Sequence, residues 1–195
     1  MSEMIPAAKP IIGDEERAAV DRILQSGMLA QGPEVAAFED EFSRLVEQRH
    51  CIAVNSGTSG LHLALKALGV KHGDEVIVPS FTFAATANAV ALTGATPVFV
   101  DVDESTFCMT TVQAEPAISP RTRAIIAVNY AGVGHDIDAL LELCTNNNLS
   151  LIEDNAHGLG GAWRGQKLGT FGHISTHSFH ETKNIQSGEG GSIAV

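Results

Sequence analysis

Lys183 carries the most chemical information in this chain. It sits in Ser178-Phe179-His180-Glu181-Thr182-Lys183-Asn184, just ahead of the glycine turn Ser187-Gly188-Glu189-Gly190-Gly191. A lysine amine forms a Schiff base with an aldehyde and then serves as proton acceptor and donor. Most lysines are ordinary exposed charges; here an aromatic, a histidine, hydroxyls and glycines crowd a single one. Upstream, the apolar run Leu149–Ile152 ends in Glu153-Asp154, with His157 just beyond. A carboxylate at Asp154 suits a ring nitrogen that must stay protonated, which makes a pyridine ring an electron sink. A strand-end aspartate equally suits a loop or helix cap. His157 fits a contact to such a ring, or a structural role. Further upstream, Ser56-Gly57-Thr58-Ser59-Gly60 joins a short apolar run to an amphipathic helix. Open N–H groups and the helix dipole favour a phosphate there; a plain helix cap is the other reading. Phe83 has the spacing either to stack on a ring or to pack in the core. A phosphate cradle, a strand-end carboxylate and a late lysine, in this order, are what a pyridoxal 5'-phosphate (PLP) site requires.

Positioning those residues needs a scaffold, and the chain alternates helix and strand patterns. Val35, Phe38, Phe42 and Leu45 recur at helical spacing after Pro33. The runs Cys51–Val54, Val76–Val78, Val98–Val100, Ala124–Val128 and Leu149–Ile152 read as strands. Leu61, Ala64, Leu65 and Leu68 make one helical stripe; Ile137, Leu140, Leu141 and Cys144 make another. Thr82–Thr93 reads as a helix ended by Gly94, and Val112–Ile118 as a weak one. Short continuous apolar strands between helices predict a three-layer α/β/α fold around a mainly parallel sheet. Asn55, Pro79, Asp101, Asn129 and Asp154 end these strands, at the rim where open α/β sheets bind ligands. Ser192-Ile193-Ala194-Val195 begins a further strand and stops, so the chain reads as a single partial domain over 1–195, the first part of a longer protein.

Composition narrows the class. The chain has 195 residues, 44% hydrophobic and 18% charged, an ordinary globular balance. Its formal net charge of −11, with no basic stretch, argues against a nucleic-acid partner. No apolar run approaches the roughly 20 residues of a membrane-spanning helix, and the N-terminus lacks a secretory pattern; cytoplasmic residence is the expectation. The three cysteines, Cys51, Cys108 and Cys144, are far apart and lack zinc-site spacing; Cys51 and Cys144 fall on apolar faces. His173, His177, His180 and Glu181 invite a metal reading. In a strand, however, His173 and His177 share a face and His180 points away, so no metal is expected. A dinucleotide site is disfavoured, because Gly57-Thr58-Ser59-Gly60 lacks the Gly-x-Gly-x-x-Gly pattern.

Taken in order, the chain resembles the DegT/StrS nucleotide-sugar aminotransferases, PLP enzymes of fold type I. The likeness runs through Ile5-Pro6, Pro10 and Ser26–Pro33 to Asn55-Ser56-Gly57-Thr58. It continues through Gly73–Phe83, Gly94–Asp101 and Ile152-Glu153-Asp154, and closes with Ser178–Asn184 and Gly188-Glu189-Gly190-Gly191. By position, the resemblance makes Lys183 the lysine bound to PLP and Asp154 the partner of the pyridine nitrogen. It gives His157 a contact to the ring oxygen and Phe83 a stack on the ring. Gly57, Thr58 and Ser178 become phosphate contacts, with Ser59 a weaker candidate. Asn155 departs from the small residue that many relatives carry. The motifs around Asp154 and Lys183 look most like the branch forming dTDP-4-amino-4,6-dideoxygalactose. The implied reaction moves an amino group from glutamate to a nucleotide-linked 4-keto-6-deoxy sugar, for polysaccharide or deoxysugar synthesis. Related dehydratases carry histidine in place of the lysine, so Lys183 favours transamination. Relatives are dimers with a small C-terminal domain, which this chain lacks; the large domain is thus expected to be cut short at its C-terminus. The alternative is a non-catalytic fragment that binds PLP weakly or not at all.

Overall fold

A computed structural model describes residues 8–47 and 50–195; Ile5-Pro6 lies outside them. Helices α1 (Asp14–Ser26) and α2 (Pro33–Leu45) precede strand β1 (Cys51–Val54). Then come α3 (Gly57–Ala67), β2 (Glu75–Pro79), α4 (Ala85–Leu92), β3 (Thr96–Val100), α5 (Thr111–Ala114) and β4 (Thr122–Val128). The chain continues through α6 (Ile137–Asn146), β5 (Ser150–Asp154), β6 (Ala162–Trp163), β7 (Gln166–Lys167), β8 (Ile174–Ser178) and β9 (Gly191–Ala194).

Seven strands form one sheet in the order β1-β9-β8-β5-β4-β2-β3. The pairs β2–β3, β2–β4, β4–β5 and β5–β8 are parallel; β9 runs antiparallel to both neighbours. Successive side chains alternate between faces. Val76, Val78, Ile126 and Ile152 pack under α3 and α4 with Leu61, Leu65 and Val90. Ile77, Ile125 and Leu151 point the other way, against Leu140, Leu143 and Cys144 of α6. Beside them Phe42 of α2 closes on Cys51, Phe179 and Ala194. The layers are therefore helix, sheet and helix, as the strand pattern predicts. All three cysteines are free and buried, and loss of solvation pushes the Cys144 thiol up to about 12.

Several local expectations need correction. The helix expected over Thr82–Thr93 begins only at Ala85, because Phe81–Ala84 bends over the rim of the sheet. The helix expected over Val112–Ile118 divides into α5 and a 3-10 turn at Glu115–Ala117, where Pro116 lacks the N–H that a continuing helix needs. By contrast, the strand expected to begin at Ser192 is present as β9, over Gly191–Ala194. Within β9, Ala194 is paired with Cys51 on one side and Ser175 on the other. The sequence pattern also missed α1, which buries no residue of its own, and the small β6–β7 hairpin. Strands β1 and β3 are the sheet's edges.

Candidate active site

Five strand ends and two loops converge on a cleft of about 670 Å³. The size matches sites that hold a small molecule. From the β1 side, the first component is the start of α3. Ser56 caps it: its Oγ accepts from the Ser59 amide at 3.1 Å, and its carbonyl accepts from Gly60 N at 3.1 Å. The first-turn amides of Gly57 and Thr58 have no intrahelical acceptor, and both residues line the cleft. Ser178, at the end of β8, lies against them; a Cβ on Gly57 would sit 3.0 Å from Ser178 Cβ. Ser59 is not among the lining residues, since its amide and hydroxyl both engage Ser56.

Lys183 lies in the loop between β8 and β9. That loop closes through Phe179 N to Gly190 O at 2.9 Å and Ser187 N to Phe179 O at 2.9 Å. Lys183 N donates to His180 O at 2.9 Å, and Asn184 Nδ2 reaches Leu159 O at 3.0 Å. The loop can lie this close to the cradle because Gly191 faces it without a side chain. A Cβ there would stand 2.6 Å from Ser56 C and 2.7 Å from Gly57 N. Partial burial holds the Lys183 amine below the usual lysine range, and the negative charge of Asp154 pulls it back up.

Asp154, at the end of β5, is 6% exposed. Its Oδ2 accepts from Thr86 Oγ1 at 2.9 Å and its Oδ1 from Ala156 N at 3.2 Å. Burial pushes this carboxyl above the ordinary range, against the Thr86 and Ala156 hydrogen bonds and the charges of His157 and Lys183. Among the described residues no cation forms a salt bridge with it; it lines the cleft and feels the charges of His157 and Lys183 from beyond salt-bridge distance. His157, partly buried, is held below the usual imidazole range by desolvation and by Lys183, with Asp154 opposing. Phe83 lines the cleft mouth and is 77% exposed.

Gly57, Thr58, Phe83, Asp154, His157, Ser178 and Lys183 therefore share one cleft, although they are spread over more than a hundred residues of sequence. Two neighbours, Tyr130 and Thr86, escaped the sequence reading, which marked a third, Asn155, only as a departure. Tyr130 lines the cleft, its ring 5.6 Å from that of His157 and 4.9 Å from that of Phe81. It follows Asn129, a strand end already marked, so the rim rule carried a signal for it. Thr86 lies 68 positions from Asp154 and carried none. Asn155, the departure from the family pattern, is a clasp. It accepts from Asn129 Nδ2 at 2.8 Å and donates to Leu168 O at 3.1 Å. The neighbouring buried Glu153 accepts from the amides of Gly169, Phe171 and Gly172 at 2.7–2.8 Å. The histidines weighed as a metal group separate: His173 accepts from Leu151 N at 3.0 Å, His177 packs on Phe42, and His180 faces the cleft.

Known proteins share this fold and much of this sequence. The spore coat polysaccharide biosynthesis protein SpsC of Bacillus subtilis (strain 168) is 43% identical over 194 residues, covering 100% of this chain and 50% of SpsC. The PLP form of the putative sugar aminotransferase Spr1654 from Streptococcus pneumoniae superposes with a TM-score of 0.94 at 34% identity, over 97% of this chain and 52% of that one. The aminotransferase from Psychrobacter cryohalolentis superposes with a TM-score of 0.92 at 38% identity, over 95% and 48%. The chain thus spans about half the length of the relatives it matches. The sequence profile of the DegT/DnrJ/EryC1/StrS aminotransferase family matches residues 10–195, and the chain belongs to that family.

Proposed function

We propose that this chain binds PLP and forms the cofactor-binding part of an aminotransferase acting on a nucleotide-linked 4-keto-6-deoxy sugar. The observation that carries the reading is the meeting, in one cleft, of Lys183, the buried Asp154 and the open first-turn amides of α3. The residues fit the cofactor. The Gly57 and Thr58 amides and the Ser178 hydroxyl suit its phosphate. Asp154 suits a protonated ring nitrogen, which would give it the close ion pair that no described residue forms with it. Phe83 suits a ring face and His157 the ring oxygen. When bound, PLP supplies an aldehyde that condenses with amines and a ring that takes up the electrons left when a neighbouring carbon loses a proton. Lys183 Nζ is neutral more readily than an ordinary lysine, which suits it to bind the aldehyde and, once free, to carry a proton to and from the substrate carbon. Asp154, oriented by Thr86, would keep a proton on the ring nitrogen of the bound cofactor.

The donor we propose is glutamate and the acceptor a dTDP-sugar, in the branch that forms dTDP-4-amino-4,6-dideoxygalactose for polysaccharide or deoxysugar synthesis. The whole protein is proposed to be a cytoplasmic homodimer. The exposure of Phe83 and of Leu92, 65% exposed on α4, supports a covering partner. PLP binding and turnover are measured separately. Added PLP should give a visible absorbance band that borohydride bleaches, with the reduced label on Lys183 after digestion and mass spectrometry. No band, or a label elsewhere, overturns the reading. Incubation of the whole protein with glutamate and the keto-sugar should then release 2-oxoglutarate. A band without turnover would leave a PLP-binding fragment.

A further inference from the structure

The turn after β3 touches the cleft only at second hand, yet it is built with unusual care. Asp103 Oδ1 accepts from Ser105 N at 3.0 Å, Thr106 N at 3.0 Å and Thr106 Oγ1 at 3.2 Å, and also from the Ser105 hydroxyl. Asp103 N donates to Cys108 O at 2.9 Å, and Phe107 N to Asp103 O at 2.8 Å. The turn forces Phe107 to φ 57°, in the left-handed region that bulky side chains avoid. Such strain persists only where its surroundings hold it, and it clusters at functional sites. What the strained residue delivers is its ring, placed 5.3 Å from that of Phe81 and 6.1 Å from that of Tyr130. The Cys108 thiol, 1% exposed, meets the Tyr130 backbone from the same turn. Tyr130 is therefore braced twice, on its ring and on its main chain. It in turn stands 5.6 Å from the His157 ring.

We propose that Phe107 is a positioning residue: fixed by the Asp103 turn, it braces Tyr130 and, through Tyr130, sets where His157 meets the bound cofactor. The proposal rests on the PLP reading above. It explains why an aromatic ring is held at a backbone angle that glycine would adopt freely.

The test uses the full chain and PLP itself. Phe107→Gly removes the ring while suiting the backbone angle; Phe107→Tyr keeps the ring. Binding is followed by the visible band, together with the pH midpoint of that band, the borohydride label and the melting temperature. Phe107→Tyr should match the parent protein. Phe107→Gly should still carry the label on Lys183, yet bind PLP about three- to tenfold more weakly and show a displaced pH midpoint. His157→Ala should show the same displacement, and adding Phe107→Gly to it should change little more. Phe107→Leu serves in the same comparison if the glycine variant does not fold. Unchanged binding and midpoint in Phe107→Gly, or effects that add in full to those of His157→Ala, overturn the proposal alone. A parent protein without any visible band sinks the PLP reading and this proposal together.

Discussion

At the scale of single residues, the cleft is a balance between burial and charge at Asp154 and Lys183. Burial opposes the charged form of each, and each favours the charged form of the other. The reactive form of Lys183 is the neutral amine, so its condensation with an aldehyde speeds up as pH rises through its pKa. Asp154 holds that pKa up. Replacing the carboxylate with an amide should therefore let it fall further. Asp154→Asn is expected to move the pH profile of PLP condensation to lower pH, measured by stopped-flow absorbance. In the whole enzyme the same variant should lose turnover about a hundredfold or more, the scale of a displaced proton-transfer group. An unchanged profile would show that Asp154 does not act on Lys183.

At the scale of elements, the site depends on how closely β9 approaches the start of α3. The β8–β9 loop carries Lys183, the turn into α3 carries the amides proposed to hold phosphate, and Gly191 allows the two to meet. Gly191→Ala would place a methyl 2.6 Å from Ser56 C, closer than real Cβ contacts come, and against backbone that cannot swing aside. The start of α3 must then shift. The expected outcome is PLP binding weakened about tenfold or more, since phosphate held by backbone N–H groups tolerates little displacement. Titration of the visible band measures it. Gly27 is the contrasting control: a Cβ there meets nothing within 4 Å, so Gly27→Ala should alter stability through its φ of 69° while leaving PLP binding unchanged.

At the scale of the whole molecule, a buried polar layer under α2 makes folding sensitive to acid. His177 is 1% exposed and packs edge-on against Phe42, with a ring-centre separation of 5.0 Å. Among the described residues neither of its ring nitrogens has a hydrogen-bond partner. Desolvation lowers its pKa from 6.5 to about 4. Above pH 6.5 the ring is neutral in folded and unfolded chains alike. Between there and about pH 4, only the unfolded chain takes up the proton. Stability is thus complete above that window and is lost as pH falls through it, by about 3 kcal/mol at the lower end. His135, 3% exposed, is lowered in the same direction by burial. His177→Phe, similar in size and without titratable nitrogens, should flatten this part of the stability profile in urea unfolding between pH 7 and pH 4. An unchanged slope would remove His177 as its source.

The sequence by itself determined the layer order, the mainly parallel sheet and the candidate residues that gather near the strand ends. Short apolar runs at Val76–Val78, Ala124–Val128 and Leu149–Ile152 have few ways to bury themselves except as parallel strands between helices. Asp154, Gly57 and Lys183 carried their chemistry in their types and neighbours. Tertiary structure decided what depends on residues distant in sequence. Thr86 reaches Asp154 across 68 positions. Gly191 is needed because β9 inserts between β1 and β8, and Phe107 acquires a role only because the turns after β3 and β4 meet at the rim. Such contacts follow from strand order, which no local periodicity encodes; their energies are felt only once the sheet has closed.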